Sequence, residues 1–108
     1  MIIKYQSPNG ALRVWVNEPD APEEVTGTSM TAGCIREAMD RGWIPKNYDN
    51  YVQKAWKFIN SCVTEDGTVI NAYTGWAVPA EEKVLKMDDR YMGYVPGIVL
   101  VAAAQIIR

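Results

Sequence analysis

VTGTSMTAGCIREAMDRGWIP, residues 25–45, decides the fold. Met30, Cys34 and Ala38 form one apolar row at helical spacing and Ala32, Ile35 and Met39 an adjacent one, while Arg36, Glu37, Asp40 and Arg41 make a wet side. The spacing predicts an amphipathic helix. Its start is expected at Thr28 or Ser29, whose hydroxyls can accept a hydrogen bond from an orphan N–H of the first turn, with Gly27 permitting a tight entrance. Gly42 suits the left-handed position after a helix, Trp43 and Ile44 are expected to fold back on the last turn, and Pro45 prevents continuation. The small residues Ala32 and Gly33 leave room for another backbone to approach closely.

C-terminal to this helix, Tyr48, Val52, Ala55, Ile59 and Cys62 step by four, three, four and three, the spacing of one helical face, broadened by Tyr51, Trp56, Phe58 and Val63. A second helix over about 48–63 is predicted, with Asn47 as N-cap. The short link between the two implies an antiparallel hairpin. Asp66-Gly67 reads as a turn and residues 68–71 as a short extended piece. Residues 72–90 hold Gly75, Trp76 and Pro79 and then a charged run that could carry one helical turn; a connection this long in a small chain is often a functional loop.

The last stretch, VPGIVLVAAAQII, runs from Val95 to Ile107 and is apolar on every side except at Gln105. It is too short to span a bilayer, so a fully buried helix is expected, with Pro96 at its first position. A single hairpin can cover only one side of such a helix. The other side calls for further helices or for a second copy of the chain.

On the N-terminal side, residues 1–24 read as irregular lead-in structure. Turn residues occupy 5–10, Leu12 to Val16 alternates like a short strand, and 17–22 is a proline-bearing loop. Trp15 reads as a lid over a core edge rather than a stacking platform for a ligand.

One domain over 1–108 is the most that 108 residues suggest. Eleven basic against thirteen acidic residues give a net charge of −2 and no basic surplus, which argues against a polyanion-binding face and a nucleic acid partner. No His is present, so the commonest general base and metal ligand are missing and no metal site is expected. Cys34 and Cys62 read as buried free thiols of a reducing compartment, a disulfide or a reactive thiol being the alternatives. Met1-Ile2-Ile3-Lys4 lacks the pattern of a signal peptide, so the chain as it stands reads as cytoplasmic. A signal lying upstream would make it periplasmic.

Thr26-Gly27-Thr28-Ser29-Met30-Thr31-Ala32, then Arg41-Gly42-Trp43-Ile44-Pro45, Lys54-Ala55-Trp56 and Asp66-Gly67-Thr68-Val69 resemble, in order and spacing, the C-terminal part of the unsaturated glycuronyl and rhamnogalacturonyl hydrolases, glycoside hydrolase families 88 and 105. The resemblance covers nearly the whole chain. One departure concerns the entrance, where Val25 and Thr26 stand in place of the family's Glu and Thr and Glu24 lies one position early.

The resemblance implies an all-α fold, helical hairpins forming part of an (α/α)6 toroid of which this chain supplies the last members. The final apolar helix would then be an inner-ring helix flanked on both sides. It further implies a glycosidase that hydrates the Δ4,5 double bond of an unsaturated uronic acid at the end of an oligosaccharide, through an Asp acting as general acid/base, with no metal or organic cofactor. That Asp belongs to earlier hairpins of the family, so this chain contains no catalytic residue and is expected to be inactive alone. Asp88 and Asp89 lie in the charged run and read as a solvated face.

What the resemblance carries over is a rim at the mouth of the barrel: Thr26, Thr28 and Ser29 at the helix entrance, Gly75 and Trp76 in the long loop, and Tyr91 and Tyr94 before the last helix. Helix N-termini and hydroxyls suit carboxylated sugars, and aromatic rings suit pyranose faces. Capping and core-edge packing compete with that role at each position. Two rival functions stand beside the glycosidase: a small helical module that self-associates through Val95 to Ile107, and another (α/α)6 enzyme acting on saturated glycans. No membrane partner is expected.

Overall fold

In a computed structural model of the chain, residues 2–74, 85–86 and 94–107 are described. Three helices carry the fold: α1 (Val25–Asp40), α2 (Asp49–Ser61) and α3 (Tyr94–Ile107). Short antiparallel pairs tie the connections: β1 (Leu12–Arg13) with β2 (Glu23–Glu24), and β3 (Tyr73–Thr74) with β4 (Leu85–Lys86). The fold is all-α, with α1 and α2 as a hairpin and α3 packed on the other side of α1. The charged run expected to hold a helical turn lies mostly outside the described residues, apart from β4.

Helix α1 begins at Val25, three residues before the expected hydroxyl cap, because a carboxylate takes the capping role. Glu24, in extended backbone conformation, accepts the N–H groups of Thr26 at 3.0 Å and Gly27 at 2.6 Å. An acidic cap also complements the positive end of the helix dipole. Asn71, at φ 63°, accepts the N–H of Val25 at 2.9 Å through its carbonyl, tying the helix start to the chain after α2. Gly27 thus lies inside the first turn, not ahead of it.

The exit of α1 follows the sequence closely. Gly42 takes φ +74°, its N–H donates to Met39, and that of Trp43 donates to the carbonyl of Ala38 at 2.9 Å, the paired bonds of a Schellman motif. Trp43 does not fold back on the last turn. It is 70% exposed, with the Arg41 guanidinium 5.2 Å from its ring centroid, and Ile44 alone packs on the core.

Helix α2 is preceded by a 3-10 turn at Lys46–Tyr48, so Asn47 sits within that turn and caps nothing; Tyr48 is the N-cap, without a side-chain bond. The stepped face is confirmed: Val52, Ala55, Ile59 and Cys62 are fully buried, Tyr51 and Phe58 nearly so, whereas Val63 is exposed. Each large apolar side chain buried here stabilises by about 1.5–3 kcal/mol. Arg36 of α1 reaches Asp49 at 2.6 Å and Asp40 at 3.5 Å, clasping the start of α2.

The lead-in segment packs on α2 through Gly10 and through Gln6, whose Nε2 donates to the carbonyl of Tyr51 at 3.0 Å. The expected strand is shorter than its alternation: only Leu12 and Arg13 pair, since the chain turns away after Val14 donates to Pro22. Trp15 is 43% exposed. Asp66-Gly67 forms the expected turn, Gly67 at φ +88° and Asp66 accepting the N–H of Thr68.

The expectations for Cys34, for full burial of α3 and for Pro96 need correction. Cys34 is exposed, and only Cys62 is buried; both are free thiols. Helix α3 is buried on one face only. Val95, Val99, Ala102 and Ile106 meet the core, while Leu100, Val101 and Ile107 stay 60–69% exposed. Its first residue is Tyr94, which places Pro96 within the first turn. Among the described residues no helix is long and apolar enough to cross a membrane.

Candidate functional site

The candidate rim residues begin at the N-terminal end of α1. Thr26 is half-buried, and its hydroxyl donates to the Glu24 carboxylate at 2.6 Å. Thr28 is fully buried; its hydroxyl donates to the Glu24 carbonyl at 2.6 Å and accepts the N–H of Leu12 at 2.8 Å. Both hydroxyls are therefore committed, that of Thr26 to the capping carboxylate and that of Thr28 to holding the helix start against β1. Ser29 differs. It is fully buried, yet its Oγ has no hydrogen-bond partner among the described residues.

Ser29 lines a groove of about 400 Å³ between α1 and α3, together with Met30 and Cys34 from α1 and Tyr94, Gly97 and Val101 from α3. A Cβ on Gly33 would stand 2.1 Å from Oε1 of Gln105 and 3.5 Å from Cα of Ala102, so the absence of a side chain makes room for the Gln105 amide, while the α3 backbone lies at ordinary contact distance. Gly33 thus meets α3 near Ala102, and Ser29 and Tyr94 line the same groove. Gln105 escaped the sequence reading as a functional candidate, although one polar side chain in an otherwise apolar helix is a signal for a specific contact.

Of the sequence candidates, Ser29 and Tyr94 thus meet in one groove, while Thr26 and Thr28 are placed in the cap behind it. Gly75, Trp76 and Tyr91 lie outside the described residues. The groove wall is mostly apolar, with the Ser29 hydroxyl, the Tyr94 phenol and the Gln105 amide as its polar groups. None is an acid/base pair, and no group of three or more metal-ligating side chains occurs among the described residues. The arrangement can bind and pack; the lining offers no proton-transfer couple.

The profile of glycosyl hydrolase family 88 matches residues 1–108. The chain belongs to that family. No curated relative matches the chain. Among solved structures, a possible member of the GH105 family from Salmonella enterica serovar Paratyphi A superposes with a TM-score of 0.84 at 16% identity, covering 99% of this chain and 29% of that one. A second possible GH105 member, from Klebsiella pneumoniae, gives 0.76 at 15% identity, covering 96% and 28%. The family 88 chain therefore spans less than a third of the length of the solved structures it matches, and what it shares with them at this identity is the fold.

Proposed function

We propose that this family 88 chain forms one sector of a glycosidase acting on oligosaccharides that end in an unsaturated uronic acid, with α1 and α3 as neighbouring inner helices of an (α/α)6 toroid. The observation that carries the reading is the one-sided burial of α3. This apolar helix leaves Leu100, Val101 and Ile107 in water, Val101 in the groove that also holds the exposed Met30 and Cys34, and further hairpins would cover them.

In that reading the enzyme hydrates the Δ4,5 double bond, with the proton supplied by an Asp on a hairpin other than these three helices. This chain's part is to shape one side of the substrate mouth. Tyr94, half-exposed at the start of α3, offers an aromatic ring to the sugar, and Ser29, fully buried in the wall of the same groove, backs it, with Gly75, Trp76 and Tyr91 as further rim candidates. No cofactor is called for.

The test follows loss of the ultraviolet absorbance of a Δ4,5-unsaturated disaccharide. The chain alone should give no turnover, and adding the hairpins that carry the catalytic Asp should give it. Turnover of a saturated glycan in its place would assign the chain to a different toroid enzyme. A discrete dimer that stays inert with those hairpins would make it a self-associating module.

A further inference from the structure

We propose that the outward face of α2 is a second binding surface, for an acidic oligosaccharide, away from the α1–α3 groove. Two clefts adjoin there, one of about 750 Å³ and one of about 390 Å³, and they share Lys54 and Lys57 as the ridge between them. The lysines stand three residues apart on one helical face, and both are exposed. Neither has an ion-pair partner among the described residues, where Arg36 and Arg41 make the salt bridges.

Each cleft supplies what a sugar ring needs besides charge. In the larger, the half-buried Tyr73 offers aromatic surface, and Phe58, buried in the core, forms the floor. Across from the lysines stands Glu23, the one carboxylate among the described residues lining it. Ser7 and Asn9 fix Glu23 by donating to its two oxygens at 2.8 and 2.9 Å, so it can accept from sugar hydroxyls without reorganising. In the smaller cleft the half-buried Trp56 lies between the amides of Gln53 and Asn60, with no carboxylate among the described lining residues. Paired ammonium groups flanked by aromatic rings and amides suit a chain that carries a carboxylate on each pyranose. The net charge of −2 conceals this local pair.

The choice of a saccharide rests on the glycosidase reading, but the probe has no double bond. Saturated trigalacturonate is titrated into the 108-residue chain and followed by amide and indole NMR shifts. Saturable shifts are expected at Asn9, Lys54, Trp56, Lys57 and Tyr73, weakening with salt. The double substitution Lys54→Ala/Lys57→Ala, at exposed positions that leave the fold intact by circular dichroism, should weaken binding about tenfold or more. Absence of saturation, unchanged affinity in the double variant, or equal shifts with neutral cellotriose would overturn the proposal. Equal binding of polyglutamate would assign the face to charge alone and overturn it too. Because trigalacturonate cannot be hydrated, failure here leaves the turnover test untouched, and the reverse holds.

Discussion

A Cβ placed on Gly10 would stand 2.1 Å from the carbonyl oxygen of Lys54. The lead-in segment is thus seated directly on the backbone of α2, at a residue whose φ of +94° already favours glycine. Substituting Gly10→Ala forces the two backbones apart and strains the turn, and should destabilise the chain by about 2–4 kcal/mol. A urea midpoint equal to that of the unsubstituted chain would contradict this contact.

Glu24 holds the first turn of α1 with hydrogen bonds to two backbone N–H groups and one hydroxyl. Removing the carboxylate in Glu24→Ala should cost about 1–2 kcal/mol. Glu24→Gln keeps one acceptor oxygen, turns the other into an NH2 that faces a donor, and loses the charge at the helix N-terminus, so it should recover only part of that loss. The ordering of the two urea midpoints checks both statements.

Tyr51 is buried with a hydroxyl that has no partner among the described residues, and burial pushes its pKa up to about 12. The unfolded chain releases this proton near pH 10, the folded chain only near 12. Between those values the unfolded state binds fewer protons, so stability is intact below about pH 10 and falls as pH rises. In Tyr51→Phe this component of alkaline destabilisation should disappear. Stability at neutral pH should be unchanged or higher, since an unpaired buried hydroxyl is removed. Urea titrations at pH 7 and pH 11 separate the two effects.

The two thiols should differ in reactivity. Cys34 is exposed in the groove, whereas Cys62 is buried and its pKa is raised, chiefly by burial. A thiol reagent should label one cysteine in the native chain and two in denaturant, with Cys34→Ser abolishing the native signal. Once partner hairpins occupy the groove, Cys34 should become protected, which makes labelling a direct readout of occupancy.

The parts of the fold legible in the sequence are those with local causes. Gly42 and Pro45 end α1 where expected, and the stepped face of α2 is the buried one. The start of α1 is not legible, because the hydroxyls of Thr28 and Ser29 look like caps while the longer Glu24 does the capping. Trp43 reads as folding back on the last turn, but its ring lies in solvent beside the Arg41 guanidinium. That one hairpin leaves a side of α3 uncovered is legible, but which side is not: a helix apolar on every side has no periodicity to say which face is covered. At the site, the residue types were visible, but the meeting of Ser29 with Tyr94 and of Gly33 with Gln105 depends on a register between helices that are distant in sequence.

The position of α1 between α2 and α3 sets an order of assembly. Docking α2 closes only residues 41–48, whereas docking α3 closes 41–93, and the longer loop costs roughly 1.7 kcal/mol more in chain entropy. The α1–α2 pair, with its own Schellman exit and the Arg36 clasp, can form early as a local nucleus; α3 arrives on a platform already built. On a ribosome the hairpin would be complete before the last helix emerged, so the most apolar element of the chain is made only when a surface to receive it exists.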